Sequence, residues 1–136
     1  MNIKDSTKEV MLKAIDRYAE EYDCSSTECQ LMIKATNEDC VPSYLLLIKN
    51  KIVKGLSFNE ILNLKIDFLG REIIVTPFIA SALRKIKKKH DMFFRDINVL
   101  IYKPSEKIKE PKLFLFEKTK QIEPITLDYI FGEDLD

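Results

Sequence analysis

The segment with the strongest chemical signature is a run of cations over residues 84–90, which reads RKIKKKH. Two aromatic residues, Phe93 and Phe94, follow it. Lysine and arginine side chains neutralise phosphates, and aromatic rings beside them stack on unpaired bases. The candidate contact residues for a nucleic acid or another partner are therefore Arg84, Lys85, Lys87, Lys88, Lys89, His90 and Arg95.

The charge distribution weakens this interpretation. The 22 Lys and Arg residues of the chain equal its 22 Asp and Glu residues, so it lacks the basic balance of a dedicated nucleic-acid binder. Residues 1–40 hold five cations and nine carboxylates, residues 41–112 hold fifteen and seven, and residues 113–136 hold two and six. A basic middle between acidic ends is either a binding surface or a region that the ends fold over and neutralise. We favour the second interpretation, and we expect Phe93 and Phe94 to lie in the core.

Three thiols, from Cys24, Cys29 and Cys40, are the other groups with reactive chemistry. Their spacing lacks the close Cys-x2-Cys pair of a zinc site, and an odd number of cysteines argues for reduced thiols. The single histidine, His90, follows three lysines at a predicted helix end, where we expect it to be solvated. A nucleophile needs a positioned base and an oxyanion hole, and the sequence marks neither. We therefore expect free thiols, no metal, no cofactor and no enzymatic activity.

The elements that must position the basic run begin with a hairpin just before it. Apolar and polar residues alternate over residues 64–68, as in a strand with one buried face. Leu69 is a poor residue for a tight two-residue turn, so we predict a longer loop with Gly70 in the left-handed conformation. The β-branched run over residues 73–75 predicts a second, buried strand, with Ile74 in the core.

The basic run itself belongs to a predicted amphipathic helix. Thr76 and Pro77 favour its start, because Thr caps helices and Pro at the first helical position loses no hydrogen bond. Cations in its last turn complement the helix dipole. The apolar residues that recur at helical spacing, and so predict a buried stripe, are Ile79, Ala82, Leu83 and Ile86.

The remainder of the chain predicts one long helix and several short strands. A capping box at Ser6 predicts a helix from about Ser6 to Tyr22. Residues 44–54 fit either one helix or a hairpin that turns at Asn50, and their β-enriched composition favours the hairpin. Apolar alternation or short apolar runs predict strands over residues 29–35, 44–48, 52–53, 97–102 and 113–116.

Less regular segments complete this prediction. A second capping box, at Ser57, predicts a short helix through Leu62, and Thr126 caps another over residues 127–131. The polar segment of residues 103–112 predicts a long exposed hairpin loop. Residues 132–136 predict a short acidic tail.

Together these patterns predict one α+β domain over residues 1–136. We expect a mainly antiparallel sheet, with an N-terminal helix and a second long helix packed on one face. No apolar run approaches the roughly 20 residues that span a bilayer. The N-terminal residues lack the apolar core of a signal peptide. We therefore expect a cytoplasmic protein that does not contact membranes.

The functional expectation is a small non-enzymatic module, bacterial or phage-encoded, that binds another macromolecule. A protein partner or self-association is expected, in the manner of an adaptor, regulator or inhibitor. We expect the contact to use an exposed strand, because an antiparallel sheet leaves edges that must be covered or paired. The alternative is a nucleic-acid-associated regulatory protein that uses the basic helix around residues 84–90.

Overall fold

The computed structural model describes residues 3–56, 65–68, 71–74, 76–107 and 111–125. Its helices are α1 (Ile3–Glu21) and α2 (Thr76–His90). Its strands are β1 (Cys29–Ala35), β2 (Pro42–Ile48), β3 (Lys51–Leu56), β4 (Lys65–Phe68), β5 (Arg71–Ile74), β6 (Ile97–Tyr102), β7 (Lys112–Glu117) and β8 (Lys120–Ile125). Short 3₁₀ helices, Ser26–Glu28 and Phe94–Asp96, lead into β1 and β6. The predicted α+β class, with an N-terminal helix and a second helix, is confirmed.

Six strands form one antiparallel sheet in the order β3-β2-β1-β6-β7-β8. It consists of two three-stranded meanders, β1–β3 and β6–β8, joined where β1 pairs with β6. Ile33 lies opposite Val99 at this central pairing. The β4–β5 hairpin forms a separate two-stranded sheet, so the segment before α2 does not extend the main sheet.

One face of the six-stranded sheet, here called the inner face, is buried under both helices. Every second residue of β1 is buried, beginning at Cys29, which is the alternation that the sequence predicts. The predicted apolar stripe of α2 is also buried, with Ile79 and Leu83 fully inside. Residues of α1, α2 and the inner face belong to a single apolar cluster. Both helices therefore lie on the same side of the sheet, as predicted.

Both predicted hairpins are present in the structure. Residues 44–54 form the β2–β3 hairpin, and the alternative of a single helix is wrong. Lys49 and Asn50 both have positive φ, 51° and 67°, which matches the strand twist of a type I′ turn. In the second hairpin Phe68 pairs with Arg71. The connection between the two strands, with the predicted left-handed conformation of Gly70, lies outside the described residues.

The first helix begins earlier than predicted, and its end at Glu21 agrees with the predicted end near Tyr22. It begins at Ile3, before the predicted cap at Ser6. At its other end Asp23 adopts the left-handed conformation, with φ of 53°. The backbone N–H of Cys24 then donates to the carbonyl of Ala19 at 2.9 Å. This arrangement satisfies a terminal carbonyl without glycine, so the helix ends cleanly despite its acidic last turn.

Two further features depart from the sequence prediction. The strand β8 was not predicted, because its sequence KQIEPI is polar and contains a proline. The segment at residues 103–112 is not simply an exposed loop, since Lys103 and Pro111 are buried. The Lys103 ammonium reaches the Asp16 carboxylate of α1 at 3.3 Å, and this pair fixes the start of the loop.

Some predictions fall outside the described residues. They are the short helices at residues 57–62 and 127–131, the acidic tail at residues 132–136, and the side chain of Ile74. Within the described part of the chain, neither helix is long and apolar enough to cross a membrane.

The inner face generates a stability prediction. Ile33 is fully buried at its centre, so Ile33→Ala should lower the free energy of unfolding by about 2–5 kcal/mol through the cavity it leaves. Lys88→Ala on the solvent side of α2 is the control and should change it by no more than roughly 0.5 kcal/mol. Urea unfolding followed by circular dichroism measures both. Equal effects would contradict the assignment of the core.

Candidate interaction surface

The cations of α2 lie towards solvent, but several of them bind other parts of the chain. The guanidinium of Arg84 donates to the backbone carbonyl of Asp39 at 2.9 Å. The Lys87 ammonium forms an ion pair with the carboxylate of Glu38. The hydrogen bond that Lys87 donates to this carboxylate raises the pKa of Lys87, because it stabilises the charged ammonium. The turn between β1 and β2 thus neutralises Lys87 and holds the guanidinium of Arg84 by a hydrogen bond.

The C-terminal end of α2 is neutralised from β8. The Oε1 atom of Glu123 lies 3.0 Å from Nε2 of His90 and 3.4 Å from Nζ of Lys89. The hydrogen bond with His90, followed by that with Lys89, holds the pKa of Glu123 below its usual value. His90 is half-buried. The expectation that it would be solvated is therefore wrong.

Ion pairs between distant segments explain the segregated charge of the sequence. Among the described residues, five such pairs are Lys49–Glu28, Lys87–Glu38, Lys89–Glu123, His90–Glu123 and Lys103–Asp16. Each joins the basic middle segment to an acidic end of the chain. These contacts support the interpretation that the ends neutralise the middle. Within the described part of α2, Lys85 and Lys88 remain exposed and without an ion-pair partner.

The aromatic residues after α2 divide between core and surface. Phe94 is half-buried against the apolar cluster. Phe93 is 64% exposed, so the expectation that it lies in the core is wrong. The guanidinium of Arg95 lies 4.9 Å from the centre of the Phe93 ring, at cation–π distance. Of the predicted contact residues, Arg95 is therefore already paired with an aromatic ring of its own chain.

The three thiols occupy apolar or half-buried places. Cys29 and Cys40 are buried, Cys24 is half-buried, and all three are free. Burial raises the pKa of Cys29 to about 12. Burial also raises the pKa of Cys40, although Lys87 and Arg84 act in the opposite direction. At neutral pH these two thiols are protonated and are poor nucleophiles. The described residues contain no group of three or more His, Cys, Asp or Glu side chains placed to hold a metal ion.

The second face of the six-stranded sheet, here called the outer face, carries apolar side chains on most of its strands. Its middle is a row of directly opposed residues, the central row, made of Leu45, Met32, Leu100, Phe114 and Pro124. The first four side chains of this row are half-buried, and Pro124 is exposed. Both described helices lie on the inner face. The described helices therefore leave the outer face uncovered, although Leu47 and Asn98 on this face are buried.

Two further rows flank the central row. On one side, Leu47, Gln30, Tyr102 and Lys112 lie opposite one another. On the other side, the row consists of Ser43, Lys34, Asn98 and Phe116. The rings of Tyr102 and Phe114 stack with centres 6.1 Å apart. The outer face thus has an apolar middle with lysines and amides at its margins, which is the anatomy of an interface core and rim.

Two side-chain oxygens of the outer face lack a hydrogen-bond partner among the described residues. They are Oδ1 of Asn98 and Oε1 of Gln30. The Asn98 amide nitrogen donates to the carbonyls of Asp96 and Lys118, at 3.4 and 3.2 Å, which fixes the orientation of its oxygen. Both oxygens are almost completely inaccessible to solvent, so each costs free energy as a buried acceptor without a donor.

The edges of the sheet are less suited to pairing than the prediction assumed. The β3 edge contains a register shift opposite residues 46 and 47. The β8 edge contains a second shift and also Pro124, which has no N–H to donate. Bulges and proline on edge strands are devices that discourage strand addition. A partner that adds to either edge loses hydrogen bonds at these positions.

The sequence analysis did not identify the outer face. A signal was present in the uninterrupted apolar runs of residues 44–48 and 113–116, since a strand with two apolar faces reads as a continuous run. Comparison of the chain with family models, curated proteins and solved structures gives no match.

Burial of the thiols generates a reactivity prediction. In native buffer at pH 8 Cys24 should alkylate first, because Cys29, with a pKa of about 12, is a thiolate in only about one molecule in 10⁴. Cys24→Ser should remove the fast phase. After unfolding in denaturant, all three thiols should alkylate without prior reduction, as intact mass measures. Alkylation of Cys29 as fast as Cys24 in the native protein would contradict the assigned burial.

Proposed function

We propose that the protein is a small non-enzymatic module that binds a protein partner through the outer face of its sheet. The observation that carries this proposal is the central row, which places apolar side chains opposite one another on five strands. Aromatic residues and methionine are enriched at interface cores, and this row contains both. An extended apolar surface on a folded chain marks an interaction site.

The polar groups of the outer face define the chemistry of the partner. The lysines at its margins are Lys34 and Lys112, and no Asp or Glu occupies an outer-face position of the described strands. A partner surface complements this face if its centre is apolar and its margins carry hydrogen-bond donors and acceptors.

The remaining features support binding rather than catalysis. The buried thiols are protonated, and the histidine is held by Glu123 at the end of α2. Three free cysteines suit a reducing compartment, so we place the protein in the cytoplasm. We propose that a protein-binding module of this kind acts as an adaptor, regulator or inhibitor.

A second candidate is a nucleic-acid-associated regulator that uses α2. It is favoured by the exposure of Phe93 beside Arg95 and by the two unpaired lysines, Lys85 and Lys88. Intramolecular contacts of Lys87, Lys89 and His90 reduce the charge that α2 offers to phosphates. The outer face is therefore the stronger candidate.

The protein-binding proposal predicts that Leu100→Lys weakens partner binding at least about tenfold, because each complex then buries an unpaired charge. The partner is identified by mass spectrometry of material retained from extracts of the source cells. It is then purified and titrated by calorimetry.

The matched control is Phe93→Lys, which makes the same apolar-to-cation change on an exposed ring away from the sheet. It should leave the affinity unchanged, and circular dichroism should show both variants folded. A partner whose affinity falls with Phe93→Lys but not with Leu100→Lys would contradict the proposal.

The nucleic-acid alternative has a separate test. We expect oligonucleotides to bind no tighter than the non-specific range of roughly 10⁻⁴–10⁻⁶ M at physiological salt, measured by fluorescence anisotropy. If α2 is a phosphate-binding surface, Lys85→Ala with Lys88→Ala should flatten the slope of log affinity against log salt by about 0.7–0.9 per lysine. Nanomolar binding that the double variant abolishes would establish this alternative in place of our proposal.

A further inference from the structure

We propose that the partner is a second copy of this chain, which packs outer face against outer face about a two-fold axis along the central row. This inference rests on the proposed function, since it names the occupant of the same surface. Most soluble oligomers are symmetric homodimers, and a two-fold interface requires a surface that complements itself. The pairing of residues between strands shows which rows of the outer face meet in such a dimer.

The two-fold operation superposes the central row on itself. Met32, Leu100 and Phe114 of one copy then face the same residues of the other, and the middle of the interface is apolar throughout. The strands of the two sheets run nearly aligned, which is a common packing of β-sandwiches. Side chains of both copies interdigitate across the separation of about 10 Å that is usual for stacked sheets.

The same operation exchanges the two flanking rows. The row that contains Gln30 and Tyr102 in one copy faces the row that contains Lys34 and Asn98 in the other. The Lys34 side chain of one copy then lies over Gln30 of the other, and Lys112 lies over Phe116. No lysine of the flanking rows therefore faces a lysine of the second copy.

The size of the outer face is sufficient for a dimer. Six strands about 4.8 Å apart and roughly 20 Å long cover roughly 570 Å² of each copy. Two copies together bury roughly 1,100 Å², which exceeds the minimum of about 1,000 Å² for a specific interface. The contact is at the small end of the range, so the dimer should form in a concentration-dependent manner.

The first part of the test is light scattering of the full chain over a wide range of concentrations. We expect the mass to rise from 15.9 kDa towards twice that value. Leu100→Lys places two like charges together on the axis and should raise the dissociation constant at least about tenfold. Phe93→Lys, the matched control, should dimerise like the native chain.

The second part does not depend on how well Leu100→Lys folds. Met32→Cys in a Cys24→Ser background places a thiol on the axis, opposite the same thiol of the second copy. A bifunctional maleimide that spans the roughly 10 Å between the two sheets should link the copies, and a denaturing gel should show the dimer. Phe93→Cys in the same background is the control and should remain uncrosslinked.

The outcomes separate this inference from the proposed function. A native chain that stays monomeric at all concentrations overturns the second copy as occupant. If that monomer still binds a partner whose affinity falls with Leu100→Lys, the proposed function stands without the dimer. A dimer that crosslinks through Phe93→Cys and not through Met32→Cys overturns the outer face as the dimer contact. The proposed function is then decided separately, by the effect of Leu100→Lys on the affinity for a different partner.

Discussion

The constraint on which the rest of the structure depends is that one apolar cluster holds both helices against the same face of the sheet. The pairing of β1 with β6 brings two meanders together and gives the helices a continuous surface to cover. Once Ile15 of α1 and Leu83 of α2 are buried there, neither helix is available to the opposite face. Because both helices pack on one side, they do not cover the apolar residues of the outer face. Those residues need a different cover.

Local patterns in the sequence predict most helices and strands well, because the spacing of apolar residues and the choice of turn residues determine them. The stripe from Ile79 to Ile86 has helical spacing, and all of its residues are buried. The turn at Asn50 has the left-handed conformation that asparagine tolerates. The strand β8 could not be predicted in the same way, because an edge strand needs few apolar residues and accepts Pro124. Its formation depends on pairing with β7.

The candidate site could not be predicted, because it depends on contacts between distant segments. The run of cations at residues 84–90 is prominent in the sequence, yet Glu38 from the β1–β2 turn and Glu123 from β8 both reach it. The outer face is inconspicuous in the sequence, since Met32, Leu100 and Phe114 come from three strands that only the sheet brings together. Alternation shows which residues share a face, but not which face the helices cover.

The central claim is that the outer face is the contact surface of this protein. Hydroxyl-radical footprinting with mass spectrometry measures it most directly, by comparing side-chain oxidation in dilute and concentrated solution. The account predicts that Met32, Leu100 and Phe114 become protected as the concentration rises, while exposed Phe93 and Tyr22 keep their rate of oxidation. Protection of Phe93 and the solvent side of α2, with an unchanged rate at Met32, would contradict it.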